Sequence, residues 1–230
     1  MTIRVPNSAG SDMSAYLAVP RKGSGPGIVV LQEIFGVNAS MRKVCDFFAS
    51  RQFTALCPDL YWSAEPGVEL AETDSDRARA LRMKVNDDKV SDDIAAAIGF
   101  LREHPACTGS VGVVGYCWGG MLAYLTAVRH KPEAAVGYYG VGIEKRIDLA
   151  EGLSCPLVLH YAGLDQYAPP EVVAQVRAAF QNDSRVTIYE YPKADHAFAR
   201  PGGGHYLHAA ADLADMRTLS FLVEKLIGHR

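Results

Sequence analysis

The sequence predicts an α/β fold, with a mostly parallel sheet and helices on both of its faces. Short apolar runs alternate along the chain with amphipathic segments of helical length. The run at 28–31 contains no polar residue, which is typical of a strand that is covered on both faces. No internal repeat or low-complexity linker interrupts the alternation, so we expect a single domain over residues 1–230.

The first half of the chain predicts three strands and three helices. The predicted strands are at 13–19, 28–31 and 54–56. The first alternates loosely and suits an antiparallel strand, and a turn at 21–27 follows it. Apolar residues at helical spacing over 41–48 predict a helix, which either Asn38 or Ser40 can cap. After a loop at 59–67 come two charged helical segments. They are predicted at 70–85 and 93–102.

The second half predicts the same alternation. The predicted strands are an apolar run ending at residue 114, then 134–139, 157–161 and 186–191. The predicted helices are at 118–128, 171–180 and 207–227, and a glycine-rich loop at 193–204 precedes the last one. Binding sites in such sheets lie beyond the carboxyl ends of the strands. Glu33, Cys117, Asp165 and His196 each follow a predicted strand, so we expect them to belong to one site.

Cys117 stands in Gly-Tyr-Cys-Trp-Gly-Gly, directly after the predicted strand. This pattern is a G-x-S-x-G nucleophile elbow with sulfur in place of oxygen, and it needs glycine where the chain turns sharply. The turn places the thiol at a helix N-terminus, where backbone N–H groups favour a thiolate. A lone cysteine is usually a buried, inert residue. The flanking glycines and the preceding strand favour a nucleophile instead.

A thiol nucleophile needs a base, and the base needs an acid that orients it. Cys117, Asp165 and His196 occur in the order nucleophile, acid, histidine that α/β-hydrolases use. Two alternatives remain open. Asp165 could instead cap the helix that begins near Pro169, and His196 could be a solvent-facing loop residue.

The oxyanion of a tetrahedral intermediate needs two N–H donors. We expect them to be the backbone N–H groups of Trp118, after the nucleophile, and Ile34, after an earlier strand. Glu33 is an unusual residue beside that donor. It could accept the thiol proton or pair with an arginine that binds substrate, and the alternative is an exposed surface charge.

Composition excludes several other classes of protein. A net charge of −3 gives no sign of binding to nucleic acid or to an anionic membrane. We expect no signal peptide and no membrane-spanning run, and five cysteines without a C-x-x-C pair predict a reduced, cytoplasmic protein. His205 and His208 form an H-x-x-H pair, but no further ligand pattern completes a metal site. We expect a monomer that needs no metal.

The motifs resemble those of the dienelactone hydrolase family, the carboxymethylenebutenolidases of α/β-hydrolase fold. The matching segments are Gln-Glu-Ile-Phe-Gly-Val-Asn (32–38), Cys-Pro-Asp-Leu-Tyr (57–61), Gly-Tyr-Cys (115–117), Gly-Tyr-Tyr-Gly-Val-Gly (137–142) and His-Ala-Phe-Ala-Arg (196–200). The resemblance covers nearly the whole chain. It implies a Cys117–His196–Asp165 triad, a Glu33 that activates the thiol when substrate arrives, and no cofactor.

The resemblance also implies a substrate, dienelactone, which the family opens to maleylacetate. The family's dienelactone-specific members bind the substrate carboxylate with two arginines, and Arg200 matches one of them. The other could be Arg77, Arg79 or Arg82, and Phe35 and Tyr139 are expected to line the substrate site. Two features of the sequence depart from the family's pattern. Residues 76–88 lack the family's tyrosine and tryptophan, and Ala197 stands where serine is common.

The sequence is therefore compatible with three functions. The sequence favours a hydrolase that opens a small lactone carrying a carboxylate. A broader carboxylesterase or thioesterase with a rebuilt pocket is the first alternative. A non-catalytic ligand-binding protein on the same scaffold is the second, since a fold alone does not fix function.

Overall fold

A computed structural model describes residues 1–228, which fall into two units with their boundary after Val113. The boundary lies within one strand, β5, which runs over Cys107–Tyr116. That the chain forms a single domain stays a prediction.

The first unit contains a mixed sheet. Its other strands are β1 (Thr2–Pro6), β2 (Asp12–Ala18), β3 (Gly25–Leu31) and β4 (Thr54–Pro58). They pair in the order β1-β2-β4-β3, and only the β3–β4 pair is parallel. The antiparallel strand predicted at 13–19 is confirmed, whereas β1 was not predicted. Every residue of β3 is buried, as the unbroken apolar run predicts.

The turn predicted at 21–27 is wrong in its second half, because Gly25 to Gly27 belong to β3. Glycine is required at position 25 by the close approach of another chain segment. A Cβ atom there would lie 1.9 Å from the carbonyl oxygen of Gln52. The glycines therefore permit close packing of a strand and do not mark a turn.

The helices of the first unit are α1 (Ala39–Ser50), α2 (Ser75–Arg82) and α3 (Asp87–Glu103). Asn38 is the cap of α1, since its side chain accepts hydrogen bonds from the backbone N–H groups of Ser40 and Met41. The helix predicted at 70–85 is shorter than expected and follows a short 3₁₀ helix. The helix predicted at 93–102 begins earlier, because Asn86 caps it.

The second unit contains three parallel strands in addition to the end of β5. In order across the sheet they are β6 (Ala134–Tyr138), β7 (Leu157–Ala162) and β8 (Val186–Tyr191). The helices are α4 (Trp118–Arg129), α5 (Pro170–Ala179) and α6 (His208–Ile227). These elements confirm the predicted ones to within one or two residues. A 3₁₀ helix over Ile143–Gly152 was not predicted.

Helices cover both faces of β6. A Cβ atom at Gly137 would lie 2.8 Å from the carbonyl oxygen of Gly120 in α4. The next side chain, that of Tyr138, points to the opposite face of the sheet. Its hydroxyl oxygen lies 2.7 Å from the hydroxyl oxygen of Thr218 in α6. Because successive side chains of a strand point to opposite faces, α4 and α6 lie on opposite sides of the sheet. This confirms the predicted layers for the second unit.

Within residues 1–228, no helix is long and apolar enough to cross a membrane.

Candidate active site

The turn predicted at Cys117 is present between β5 and α4. Cys117 has φ of 56° and ψ of −117°, and α4 begins at the next residue. The preceding glycine is needed because a Cβ atom at Gly115 would lie 1.8 Å from the carbonyl oxygen of Gly119. The backbone N–H of Cys117 donates to the carbonyl oxygen of Tyr138 at 3.0 Å, which fixes the turn against β6. The thiol therefore lies at a helix N-terminus and is 8% exposed.

Backbone strain is concentrated around this turn. Five non-glycine residues of the described chain have positive φ, and three of them are Cys117, Tyr139 at 38° and Ala197 at 64°. Tyr139 follows Tyr138, whose carbonyl oxygen accepts the Cys117 N–H, and Ala197 follows His196. Such conformations cost of order 1–3 kcal/mol each and are typical of functional sites. The strain marks this part of the second unit independently of any motif.

Asp165 and His196 form a buried, hydrogen-bonded pair. Nδ1 of His196 lies 2.7 Å from Oδ2 of Asp165, and their side chains are 11% and 0% exposed. The Cys117 side chain lies close enough to His196 to raise the pKa of its imidazole. The solvent-facing alternative for His196 is therefore wrong. The helix-cap alternative for Asp165 is wrong as well, because no side chain caps α5.

Tyr167 is a site residue that the sequence analysis missed. Its backbone N–H donates to Oδ1 of Asp165 at 2.8 Å, so both carboxylate oxygens of Asp165 are held. Its ring stands edge to face against the His196 ring, with centroids 4.8 Å apart, and Tyr139 does the same at 5.1 Å. The imidazole thus lies between two tyrosine rings. The only sequence signal was the position of Tyr167, two residues after Asp165.

Cys117 and Asp165 together stabilise a proton on His196. Burial lowers the pKa of the imidazole, but the charge of the Cys117 thiolate, the hydrogen bonds with Asp165 and Cys117 and the Asp165 charge outweigh it. They raise the pKa of His196 to about 10. When the thiol is ionised, the three side chains therefore carry an imidazolium between two anions, which can donate a proton to a leaving group.

The pKa of His196 is expected to fall in Cys117→Ala. That variant removes the thiolate charge and one hydrogen bond, so burial opposes the effect of Asp165 alone. With a non-hydrolysable anionic ligand bound, so that the thiol is ionised, titration of the imidazole by nuclear magnetic resonance should show proton loss near pH 10 in the wild type and at lower pH in the variant. Cys155→Ala is the control, because burial raises the pKa of that thiol to about 12 and leaves it neutral. The same pKa in Cys117→Ala and wild type would contradict this coupling.

Two further predicted residues lie in the second unit. Trp118 is the first residue of α4, where backbone N–H groups have no carbonyl partner within the helix. Arg200 is 7% exposed and closes a turn with Ala197, its backbone N–H donating to the Ala197 carbonyl at 2.9 Å. Burial excludes the alternative of a solvated surface arginine at position 200.

Glu33, Ile34 and Phe35 lie in the first unit, in the loop after β3. Glu33 is 1% exposed, so the alternative of a surface charge is wrong. The carbonyl of Ile34 accepts from the Tyr61 hydroxyl at 3.1 Å, whereas its N–H makes no hydrogen bond within residues 1–228. The carbonyl of Phe35 accepts from the Leu70 N–H at 2.9 Å. The loop is therefore held through its carbonyls, which leaves the Ile34 N–H available to an acceptor.

The three candidate arginines of the first unit differ in exposure. Arg77 pairs with Glu65, and its side chain is 60% exposed. Arg79 is 56% exposed and lies 4.0 Å from Asp76. Arg82 is less exposed and pairs with Asp87 at 2.5 Å. Each candidate thus has an acidic neighbour of its own.

Comparisons with known proteins agree with the motifs. The model of the dienelactone hydrolase family matches residues 13–226. A carboxymethylenebutenolidase of Pseudomonas sp. strain P51 is 39% identical over 93% of this chain and 90% of its own length. The carboxymethylenebutenolidase of Pseudomonas putida is 36% identical over 96% and 94%. A Klebsiella pneumoniae protein provisionally named dienelactone hydrolase has a crystal structure that matches with a TM-score of 0.87, at 27% identity over 97% and 98% of the two chains.

Proposed function

Because the chain belongs to the dienelactone hydrolase family and is a hydrolase of that type, we propose that it opens a small lactone carrying a carboxylate. The proposed route is a covalent acyl-enzyme on Cys117. One observation carries the proposal: a buried, hydrogen-bonded Asp165–His196 pair lies beside a cysteine at a strained strand-to-helix turn, and this cysteine raises the pKa of His196. A non-catalytic binding protein would have no use for this arrangement.

In the first step, the thiolate sulfur of Cys117 attacks the lactone carbonyl carbon and forms a C–S bond. The ring C–O bond then breaks, and His196 gives its proton to the departing oxygen. Asp165 accepts a hydrogen bond from Nδ1 throughout, so that Nε2 is the nitrogen that exchanges the proton. The product of this step is a thioester on Cys117.

In the second step, a water molecule attacks the thioester and His196 takes its proton. The C–S bond breaks, and the free acid leaves with one water consumed. The N–H groups of Trp118 and Ile34 are the proposed donors to the oxyanion of both tetrahedral intermediates. The available Ile34 N–H supports this role. No cofactor enters either step, and with dienelactone as substrate the product is maleylacetate.

Arg200 is proposed to bind the substrate carboxylate, because a planar guanidinium can pair with a carboxylate through two hydrogen bonds. Its burial supports this role, since a surface site would lose most of the interaction to solvent. Phe35 and Tyr139 are proposed to line the same substrate. Arg77 and Arg79 are proposed only as weaker partners, because both are exposed and lie near acids.

Arg200→Ala tests the substrate class. We expect kcat/KM to fall about 10- to 100-fold on dienelactones and much less on neutral aryl esters, because the lost interaction involves a charged group. The neutral esters control for damage to the triad, and Arg77→Ala controls for a change in surface charge. An equal loss on both substrate classes would show that Arg200 is structural and would remove the main support for an anionic substrate.

The alternative within hydrolases is a broader carboxylesterase or thioesterase. It is favoured by the exposure of Arg77 and Arg79 and by the absence of tyrosine and tryptophan from residues 76–88. Rates of the wild type on a panel of dienelactones and neutral aryl esters separate the two. Neutral esters turned over as fast as dienelactones would establish the broader activity.

Glu33 is proposed to couple substrate binding to activation of the thiol. A permanent thiolate would be open to oxidation, so a thiol that ionises only with substrate present is safer. In this proposal Glu33 pairs with an arginine in the free enzyme. A substrate carboxylate then takes over that arginine, and Glu33 accepts the Cys117 proton. Near-complete burial of Glu33 supports the proposal, since charges interact more strongly away from water.

Glu33→Gln is expected to abolish this coupling. The measurement is the rate of Cys117 alkylation with and without a non-hydrolysable anionic ligand. In the wild type the ligand should raise the rate, whereas in the variant it should have little effect, because glutamine cannot take the proton. Glu65→Gln, at an exposed acid, is the matched control. A ligand effect as large in Glu33→Gln as in the wild type would rule out the switch.

A further inference from the structure

A second concave site lies in the second unit, between α6 and the strands β7 and β8. It is a groove of about 490 Å³. The strands line it with Val158, Thr187 and Tyr189, and α6 lines it with Met216, Arg217 and Phe221. Val158 and Thr187 stand near the amino ends of their strands, whereas Asp165 and His196 follow the carboxyl ends. The groove is therefore separate from the candidate active site.

Arg217 is the unusual residue of this groove. Its guanidinium carbon lies 4.1 Å from the centre of the Tyr189 ring and 5.5 Å from that of Tyr191. Its Nη1 donates to the Tyr191 hydroxyl at 3.2 Å. In the described part of the chain it forms no ion pair. The two other cations of the groove differ, since Arg185 pairs with Asp183 and Lys225 pairs with Glu224, each at 2.6 Å.

The position of Arg217 is fixed by a chain of buried hydrogen bonds. The Tyr191 hydroxyl oxygen lies 2.8 Å from Nδ1 of His160, and Nε2 of His160 lies 3.0 Å from the Thr218 hydroxyl oxygen. Burial and the Arg217 charge lower the pKa of His160 to about 3, so this ring is neutral. Tyr191 can then accept from Arg217 and donate to Nδ1, while Nε2–H donates to Thr218. Because each of these groups has a partner, the guanidinium is held in place before any ligand arrives.

We propose that the groove binds a small organic anion with a flat apolar body, such as an aromatic carboxylate. A held guanidinium without an acidic partner presents paired N–H donors to a carboxylate. Phe221, Met216 and Val158 supply an apolar surface for the ring, and Thr187 supplies a hydroxyl. The volume lies within the range of small-molecule sites. Since the whole chain carries a net charge of −3, general attraction of anions does not account for the site.

Benzoate is the probe for this proposal. We expect it to shift the nuclear magnetic resonance signals of Thr187 and Phe221, with an affinity that falls about 10- to 100-fold in Arg217→Gln. Arg177→Gln, at an exposed arginine of α5 paired with Glu190, should bind as the wild type does. Benzamide, which lacks the charge, should bind much more weakly. Arg200→Gln should leave the shifts at Thr187 and Phe221 unchanged.

A second variant guards against misfolding of Arg217→Gln. Ser220 lines the groove from an exposed position on α6, so Ser220→Trp should fill the groove without disturbing the core. It should block benzoate and keep the wild-type rate of ester hydrolysis. Undiminished benzoate binding in either variant would overturn the proposal, as would shifts confined to His196 and Tyr139. A third outcome is that the wild type does not bind benzoate but forms a dimer, and that Ser220→Trp disrupts this dimer. The groove would then be the contact with a second copy of the chain.

Discussion

Cys117→Ala should lower kcat/KM by about 10⁴-fold or more, because no other side chain of the proposed mechanism can form the covalent intermediate. The measurement is turnover of the best substrate from the dienelactone and ester panel. Folding should be preserved, since alanine fits the volume of the thiol and tolerates φ of 56° no worse than cysteine does. Circular dichroism and the melting temperature check this point. Substantial activity in a folded Cys117→Ala would exclude Cys117 as the nucleophile.

Cys107→Ser is the matched control for this loss. Cys107 is the one cysteine of the described chain that is not buried, and it begins the same strand that leads to Cys117. Serine keeps the small polar side chain that accepts from the Gly109 N–H. The control should retain wild-type turnover, because its thiol has no part in the proposed chemistry. A loss in both variants would point to damage in β5 and not to a missing nucleophile.

Alkylation by iodoacetamide should reach Cys117 before the other thiols. Burial raises the pKa of Cys155 to about 12, and burial together with the neighbouring Cys57 raises the pKa of Cys45 well above its usual value. These thiols stay protonated and inert at neutral pH. Peptide mapping after brief labelling, with the non-hydrolysable anionic ligand bound, is the measurement. Preferential labelling of Cys107 would mean that exposure, and not activation, controls reactivity in this chain.

The sequence predicted the features of the site that are fixed by short segments. The elbow at Cys117 was predicted from the preceding strand and the flanking glycines. Gly115 cannot be replaced, since a Cβ atom there would lie 1.8 Å from the backbone carbonyl oxygen of Gly119. Asp165 and His196 followed from their positions after strands, because parallel strands end at the same edge of a sheet. Their hydrogen bond at 2.7 Å agrees with that expectation.

Other features depend on contacts between distant segments and could not be predicted. The ring of Tyr167 meets His196 only because two loops fold together, and a tyrosine in a loop has no periodicity to indicate this contact. Arg217 looks like an ordinary charged residue of a helix until Tyr189 and Tyr191 of β8 are placed beside it. Gly25 was misread because a glycine at a close approach resembles a glycine in a turn.

Asp165→Asn and His196→Ala are each expected to lower turnover by about 10²–10⁴-fold, which is the usual contribution of a positioned base. Asparagine can donate from its amide nitrogen, so it no longer selects the tautomer with a proton on Nδ1. Asp195→Asn is the control from the same loop as His196. Its Oδ1 accepts the backbone N–H of His196, and asparagine keeps that acceptor. The control should lose less than about tenfold in rate, since a surface substitution away from the reacting atoms has a small effect.

The double variant separates a positioning role for Asp165 from a structural one. If Asp165 acts only by orienting and stabilising the imidazole, it has nothing left to act on once His196 is alanine. Asp165→Asn should then cost little in the His196→Ala background, although it costs about 10²–10⁴-fold in the wild type. Steady-state rates of the four proteins on one substrate complete the cycle. Losses that multiply would mean that Asp165 stabilises the loops around Tyr167 and does not work through His196.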